Sequence, residues 1–309
     1  MYDTIIIGAG PAGLSAAIYT CRKKLKTLLI SVDVGGQGNL TAHIENYPGA
    51  LPQSGVELMD KFRQQAESFG AEFSFGKVKE IKKENNLFNV LVANGENYVA
   101  KTIILTYGKV ARTLGLDNEE ALFGRGVSTC ATCDGPLYKD KIVAIVGGGN
   151  SALDAAEELS AYAKKVYLVH RRKEFRADEI TIDKVKVNPK VELILDSIPV
   201  KIIADKFVTG TIIENVLTKE KKELPIDGLF LEIGYIVDSS MVKNLVKINE
   251  YNEVVTDAIC RTSVPGVFAA GDMTSMPYKQ AIIAAGEGAK AALSAYSYLT
   301  GNKTSTDWH

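Results

Sequence analysis

Cysteine, histidine and tryptophan are scarce in these 309 residues, at four, three and one respectively. Four cysteines are too few to brace a chain of this length as a disulfide scaffold. Cys21 and Cys260 stand singly, and the histidines are only His43, His170 and His309. No second pair is therefore at hand to complete a structural zinc site, and no metal is expected. A formal net charge of -1 lacks the basic surplus with which a general nucleic-acid binder releases counterions. No apolar run approaches the roughly 20 residues that span a bilayer, so no membrane partner is expected. No positively charged leader precedes the strand-like Thr4-Ile5-Ile6-Ile7, and a cytoplasmic location is the expectation. What remains is the composition of an ordinary globular protein, long enough for two domains.

Two stretches share one plan. Ile5-Ile6-Ile7 reads as a strand buried on both faces and leads into Gly8-Ala9-Gly10-Pro11-Ala12-Gly13. Set between a strand and a helix, that spacing is a dinucleotide site. Gly8 permits the tight turn and Gly10 lets backbone approach a pyrophosphate. Gly13 lets the helix pack on the strand, with its N-terminus facing the anion. The helix should run through Ser15 to about Cys21, with Thr27-Leu28-Leu29-Ile30 as the next strand. The basic run Arg22-Lys23-Lys24-Lys26 reads as a solvated helix end. The acid expected about 20 residues after the glycines is displaced, which weakens ribose recognition. The strand ends in Ser31, with Asp33 beyond it.

The plan repeats in Lys141-Ile142-Val143-Ala144-Ile145-Val146, then Gly147-Gly148-Gly149-Asn150-Ser151-Ala152, with Ala152 in the third small position. Leu153 to about Ala163 reads as helix and Val166-Tyr167-Leu168-Val169 as strand. This copy ends in His170-Arg171-Arg172, with Arg176 beyond. Arginines at this strand end favour a ribose 2'-phosphate over a free hydroxyl, so NADPH should be preferred to NADH. The plainer alternative is a solvated basic loop.

Between and around these units the chain is less explicit. Gly35-Gly36-Gln37 and Glu45-Asn46-Tyr47-Pro48-Gly49 read as polar turns. A helix is expected from Gly55 to Phe69, burying Val56, Met59, Phe62, Ala66 and Phe69. Ala71 to Leu105 reads as an antiparallel excursion. The polar Asp117-Asn118-Glu119-Glu120 suggests a crossing between domains, and Asp178 to Asp196 is charged and mixed. Val200 to Ile203 and Phe207 to Ile213 read as strands, and Gly228 to Gly234 as a last buried one. Val264 to Ala270 should deliver Gly271-Asp272 to a nucleotide crevice, where Asp272 can accept from a sugar or ribityl hydroxyl. A helix from about Tyr278 to Leu299 would point its N-terminal dipole at a reduced flavin. Gly286 and Gly288 weaken that helix and should permit close packing. The tail, with Trp308, is expected to fray.

Cys130-Ala131-Thr132-Cys133-Asp134-Gly135 lies between the two glycine turns. A zinc half-site and an inert buried pair compete with a dithiol/disulfide couple, and the couple is the best supported. Asp134 beside it could handle protons. Electrons would then pass between a nicotinamide and a flavin, reach this pair, and leave for another protein.

The ordered set of motifs resembles the low-molecular-weight thioredoxin reductases over essentially the whole chain. It comprises Gly8 to Gly13, Gly35-Gly36-Gln37, Glu45 to Gly49, Cys130 to Gly135, Gly147 to Ala152, His170-Arg171-Arg172, Phe175-Arg176-Ala177, Ala270-Gly271-Asp272 and Gln280-Ala281-Ile282. The resemblance implies an α/β fold of two nested Rossmann-like, three-layer nucleotide-binding domains, the second inserted into the first. A discontinuous FAD domain would cover residues 1–112 and 243–309, and an NADPH domain carrying the redox pair residues 113–242. FAD would lie on Gly8, Gly10, Pro11, Ala12, Gly13, Gly36, Gln37, Asn46, Gly271, Asp272, Lys279, Gln280 and Ala281. NADPH would lie on Gly147, Gly149, Asn150, Ser151, Ala152, His170, Arg171, Arg172 and Arg176. Cys133 would be the flavin-proximal sulfur, Cys130 would attack a thioredoxin-like partner's disulfide, and Asp134 would be the acid. A homodimer is implied. The pair must meet both flavin and partner, so the inserted domain should rotate on two linkers, the second near Tyr235 to Lys243.

Three positions depart from the family pattern. Tyr107 stands in a turn that is usually small, Val237 replaces a proline, and Lys279 replaces an arginine and cannot form a planar fork. Rival readings keep the fold and change the donor or acceptor, as in ferredoxin-dependent or peroxiredoxin-system reductases or dithiol oxidases. A non-catalytic NADPH or redox sensor is a further alternative.

Overall fold

The computed structural model describes residues 1–40, 44 and 46–301, apart from the side chains of Leu40 and Cys133. His43, Glu45, Trp308 and His309 therefore lie outside the described residues. The chain divides into two units, Met1–Val110 with Ile236–His309, and Ala111–Tyr235.

The first unit opens with β1 (Tyr2–Ile7), α1 (Pro11–Arg22), β2 (Thr27–Ser31), α2 (Gly55–Ser68) and β3 (Glu72–Phe75). It continues with β4 (Val78–Glu84), β5 (Leu87–Val92) and β6 (Asn97–Leu105). The crossings are short strands, β7 (Val110–Ala111) outward and β16 (Tyr235–Ile236) on return, and they pair with each other. The second unit begins with β8 (Val127–Ser128), α3 (Ala131–Asp134), β9 (Ile142–Gly147), α4 (Asn150–Tyr162) and β10 (Lys165–Val169). There follow α5 (Glu179–Val187), β11 (Val191–Ile194), β12 (Ser197–Ala204), β13 (Val208–Asn215), β14 (Lys221–Pro225) and β15 (Gly228–Glu232). After the return, β17 (Val267–Ala269) and α6 (Ala281–Thr300) complete the first unit.

Both units place their strands alike. In the first, β3, β2, β1, β6 and β17 are parallel neighbours in that order. In the second, β11, β10, β9, β15 and β8 are parallel neighbours. From β1 in the first unit and from β9 in the second, the chain winds outward from mid-sheet and then returns to the other side, while β8 lies at the far edge of the second sheet. The reversal leaves a crevice at the carboxyl end of the first strand, where such folds bind ligands.

Alternation along the central strands builds three layers. Ile6 and Leu29 face the helices and pack with Leu14, Met59 and Ala291, while Ile5, Ile7, Leu28 and Ile30 face the other way onto Phe88, Val90 and Val242. In the second unit, Val143 and Ile145 pack under Leu153, Leu159 and Val185, and Ala144 and Val146 meet Ile202, Val208 and Leu224.

Local signals fix most element ends. Ser54 and Glu57 form a reciprocal capping box at α2, Pro11 occupies the first turn of α1, and Gly301 closes α6 in the left-handed region at φ 69°.

Several expectations change. The stretch from Ala71 to Leu105 is antiparallel only in β4–β5–β6, because β3 joins the parallel edge beside β2 and β6 also pairs in parallel with β1. In α2, Met59 and Ala66 are buried and Phe62 partly so, as expected, but Val56 and Phe69 are exposed and Leu58 is buried, so the apolar stripe is shifted around the helix. The polar run Asp117 to Glu120 lies within the second unit, where buried Glu119 accepts from Leu114 N and Leu116 N at 2.9 and 3.0 Å. A buried carboxylate satisfied by backbone is a local brace rather than a solvated crossing. The mixed run after Asp178 resolves into α5 and β11. The last helix starts at Ala281 because its N-cap, Gln280, is extended.

Candidate functional site

The first glycine turn is tight on both flanks and open in the middle. Gly8 adopts φ 106°, and a Cβ there would fall 2.4 Å from Thr106 O. A Cβ on Gly13 would fall 1.8 Å from Gly8 O, so only hydrogen fits. Thr106 Oγ1 donates within this knot, 2.8 Å from Gly8 O. A Cβ on Gly10, by contrast, would find only Gly35 O at 3.8 Å. Gly10 is also the N-cap of α1, which has no side-chain cap and no acid in its first turn. Free backbone N–H groups around an open space suit a pyrophosphate.

The other first-unit residues converge on this turn. Gly36 approaches the Gly10 Cα, and Asp33 Oδ1 accepts from Gly36 N at 3.2 Å, which explains why that acid serves the loop rather than a strand end. Ser31 Oγ accepts from Ala9 N at 3.2 Å. Gln37 Nε2 reaches Lys109 O at 3.4 Å, and Asn46 Nδ2 donates to Gln280 Oε1 at 3.2 Å, joining two predicted contacts 234 residues apart. Gly271, at φ 86°, comes close to Ala12, placing Gly271-Asp272 beside the turn. Buried Glu287, which the sequence reading missed, holds it there by accepting from Gly271 N at 2.7 Å. Its signal was an acid beside a packing glycine: a Cβ on Gly288 would fall 2.0 Å from Ala12 O. Nothing lies near the Gly286 position, so the close packing belongs to Gly288 alone.

The three departures are absorbed within the first unit. Tyr107 and Val237 pack in one apolar cluster, and Tyr107 Oη lies 3.3 Å from Ser239 Oγ. Burial pushes the Tyr107 phenol up to about 12, so it stays neutral. Lys279 Nζ donates to Thr274 O at 2.5 Å and sits 3.7 Å from Glu253.

The second turn repeats the pattern. A Cβ on Gly147 would meet Glu232 O at 2.3 Å and one on Gly148 the His170 ring at 2.2 Å, whereas Gly149 has only Arg176 O at 3.9 Å. Gly149 caps α4, again without a side-chain cap or an acid in the first turn. Arg176 N donates to Gly148 O at 2.7 Å, and Asn150 and Asp178 bond reciprocally, fixing the loop after β10 over the turn. Arg171, Arg172 and Arg176 are exposed. His170 is buried beneath the turn and stacks on Phe175 with centroids 5.4 Å apart. Burial holds its imidazole below the usual range, and Nε2 donates to Glu174 O, so it braces the loop as a neutral ring.

The redox motif begins at Cys130, two residues after β8, and continues through α3. Ser128 Oγ accepts from Cys130 N at 3.0 Å, Thr132 Oγ1 donates to Glu158 Oε2 at 2.8 Å, and Asp134 N donates to Cys130 O at 3.2 Å. Cys130 is disulfide-bonded. The Cys133 side chain lies outside the described residues. Cys21 and Cys260 are free and buried, and burial pushes the Cys260 thiol up to about 11 and the Cys21 thiol upward. They are poor nucleophiles. Among the described residues no cluster of metal-ligating side chains occurs.

Glu158 and Glu232 were also missed. Burial first, then Glu158 and Asp154, pushes the Glu232 carboxyl up to about 7. Its signal was an acid interrupting the apolar run of β15. A cavity of about 980 Å³ elsewhere in the first unit, lined by Arg261, Phe268 and Tyr298, touches none of the predicted residues.

Two open-centred nucleotide turns and a disulfide-bonded CxxC cysteine on one chain define a flavin- and nicotinamide-linked disulfide oxidoreductase. The chain belongs to the pyridine nucleotide-disulphide oxidoreductase family, whose model matches residues 2–288. It is 40% identical over 309 residues to a thioredoxin reductase of Listeria monocytogenes, covering 99% of this chain and 97% of that one. It is 42% identical over 301 residues to a thioredoxin reductase of Rickettsia conorii, covering 96% and 97%. Among solved structures, Lactococcus lactis thioredoxin reductase superposes with a TM-score of 0.83 at 36% identity, covering 97% of this chain and 100% of that one. No described helix is long and apolar enough to cross a membrane.

Proposed function

We propose that this chain uses NADPH to reduce the disulfide of a thioredoxin-like protein, with FAD as the intermediate carrier. One observation carries the reading: Cys130, already in a disulfide, stands immediately before the helical turn Ala131–Asp134, in the segment leading to the second open-centred glycine turn. The relatives named above, all thioredoxin reductases, support the acceptor.

The first unit has the shape to hold FAD. Gly10 and Gly36 leave open space that would take the pyrophosphate, Asp272 would accept from the ribityl chain, and the hydrogen-bonded Asn46–Gln280 pair and Lys279 would serve the ring. The second unit would hold NADPH, with Gly149, Asn150, Ser151 and Ala152 at the pyrophosphate and Arg171, Arg172 and Arg176 on the 2'-phosphate. Bound there, the two groups would supply the hydride whose electron pair, together with a proton, opens the Cys130–Cys133 disulfide to two thiols. The reduced pair then acts by exchange. Cys130 attacks the partner's disulfide, a mixed disulfide forms and one partner sulfur leaves. Cys133 closes the bond back to Cys130 and releases the second sulfur. Asp134 provides the proton that a departing thiolate takes. The pair has two successive partners, so the inserted unit turns on the crossings at β7 and β16. The working form is a cytoplasmic homodimer, which sedimentation can check.

An anaerobic titration with NADPH, NADH and reduced ferredoxin in parallel tests the reading. NADPH should bleach the flavin and yield two titratable thiols, which then disappear on adding oxidised thioredoxin. Failure of NADPH where ferredoxin succeeds refutes the donor, and normal electron delivery by Cys133→Ser refutes the relay.

A further inference from the structure

The redox turn is too short to hold itself. Ala131–Asp134 is four residues, well under the length at which a helix is stable alone, so tertiary anchors must fix it. Ser128 bonds the Cys130 backbone, Gly135 packs against Leu159, and Thr132 Oγ1 donates to Glu158 Oε2 at 2.8 Å. Thr132 lies between the two cysteines, and Glu158 lies on α4, which begins at the second glycine turn. In the oxidised state the disulfide also constrains the turn. Once it is reduced, these anchors hold the turn on which the bond closes again.

We propose that Glu158 is a positioning residue for the dithiol relay, holding the redox turn through Thr132 and opposing thiolate formation there by its charge. The inference rests on the disulfide-reductase reading above. Its surroundings reinforce the second effect. Asp154 lies one turn back on α4, Glu232 comes from the end of β15, and Asp134 lies on the redox turn itself. Tyr138, on the segment after the motif, has its phenol pushed up by burial and by Asp134, so it stays neutral. The nearby cation on α5, Lys184, is 3.6 Å from Glu157. Protonation of Glu232 near neutral pH eases this crowding without touching the Thr132–Glu158 bond.

Three variants separate the hydrogen bond from the charge. Thr132→Val removes the bond and keeps the charge, Glu158→Gln keeps an acceptor and removes the charge, and Glu158→Ala removes both. Two readouts need neither nicotinamide nor a protein partner. They are the dithiol–disulfide equilibrium of the pair against a glutathione buffer, and the pH profile of its alkylation by iodoacetamide when reduced. Thr132→Val and Glu158→Ala should lower the tendency to form the disulfide by roughly threefold to tenfold, the scale of a partly exposed charge-assisted hydrogen bond. Glu158→Gln should stay within about twofold in that equilibrium, yet move the alkylation profile to lower pH by about half a unit or more. A merely structural contact would change melting and leave the alkylation profile in place. The positioning role is overturned if Thr132→Val and Glu158→Ala match the wild type in the equilibrium, and the charge effect if Glu158→Gln leaves the profile unmoved. The disulfide-reductase reading fails separately, in the NADPH titration.

Discussion

Two glycines on α6 make opposite predictions for the same substitution. Gly286 and Gly288 both weaken the helix, and replacing either by alanine should recover about 1 kcal/mol of helix propensity. Nothing lies within 4 Å of a Cβ at Gly286, so Gly286→Ala should keep that gain and raise the Tm by about 2–4 °C. At Gly288 the Cβ would fall 2.0 Å from Ala12 O, 2.8 Å from Ala12 C and 3.0 Å from Ala12 Cα. All three are backbone atoms that cannot swing away, so α1 and α6 must separate by more than about 1 Å. Overpacking of this kind costs about 3 kcal/mol at the upper end of its usual range. The net loss is about 2 kcal/mol, or a Tm lower by about 4–8 °C. Ala12 is also part of the first glycine turn, so the same displacement should release flavin during purification. Circular dichroism melting, with and without added FAD, reads both effects. If Gly288→Ala is as stable as Gly286→Ala and keeps its flavin, close approach of α6 to the nucleotide turn is not what that glycine provides.

Other expectations follow from single groups. Glu232, raised to about 7 when folded, binds more protons folded than unfolded between its ordinary range and neutrality, so stability should fall as pH rises from about 4.5 to 7. Glu232→Gln should remove that slope and stabilise the protein at pH 8 by about 1–2 kcal/mol, allowing for partial solvent screening, as measured by urea unfolding. Replacing Arg171 and Arg172 together by alanine should raise the KM for NADPH by roughly tenfold to a hundredfold while changing that for NADH less than about threefold. Ser54→Ala breaks the capping box of α2 and should cost about 1 kcal/mol in chemical denaturation with no change in redox activity.

Much of the molecule was legible because its signals are local. The two strand–glycine–helix units, the redox pair and the basic end of β10 each need only a few neighbouring residues to define them, and a glycine's place in a turn follows from sterics alone. The parts that were misread depend on distant partners. Whether β3 pairs in parallel or antiparallel is decided by β2, some 40 residues earlier. Val56 and Leu58 are both apolar, and only the packing of α2 onto the sheet selects the second. Glu287 and Glu119 look like surface acids until the backbone N–H groups they satisfy are in place.

The third small position of the two turns shows how far such reading can go. At Gly13 a Cβ would fall 1.8 Å from Gly8 O, so the first turn admits no side chain. The second turn has Ala152 at the equivalent place, and this Cβ is the atom that a side chain on Gly147 would strike at 2.6 Å. The first turn must stay bare at both Gly8 and Gly13, whereas the second carries a methyl at its third position and keeps Gly147 bare. Spacing alone makes the two turns look interchangeable. The neighbouring atoms make Gly147→Ala damaging, because Ala152 and Glu232 O already occupy its space. At Gly10 or Gly149 alanine meets no protein atom closer than about 3.8 Å, so its effect should fall on nucleotide affinity while stability holds.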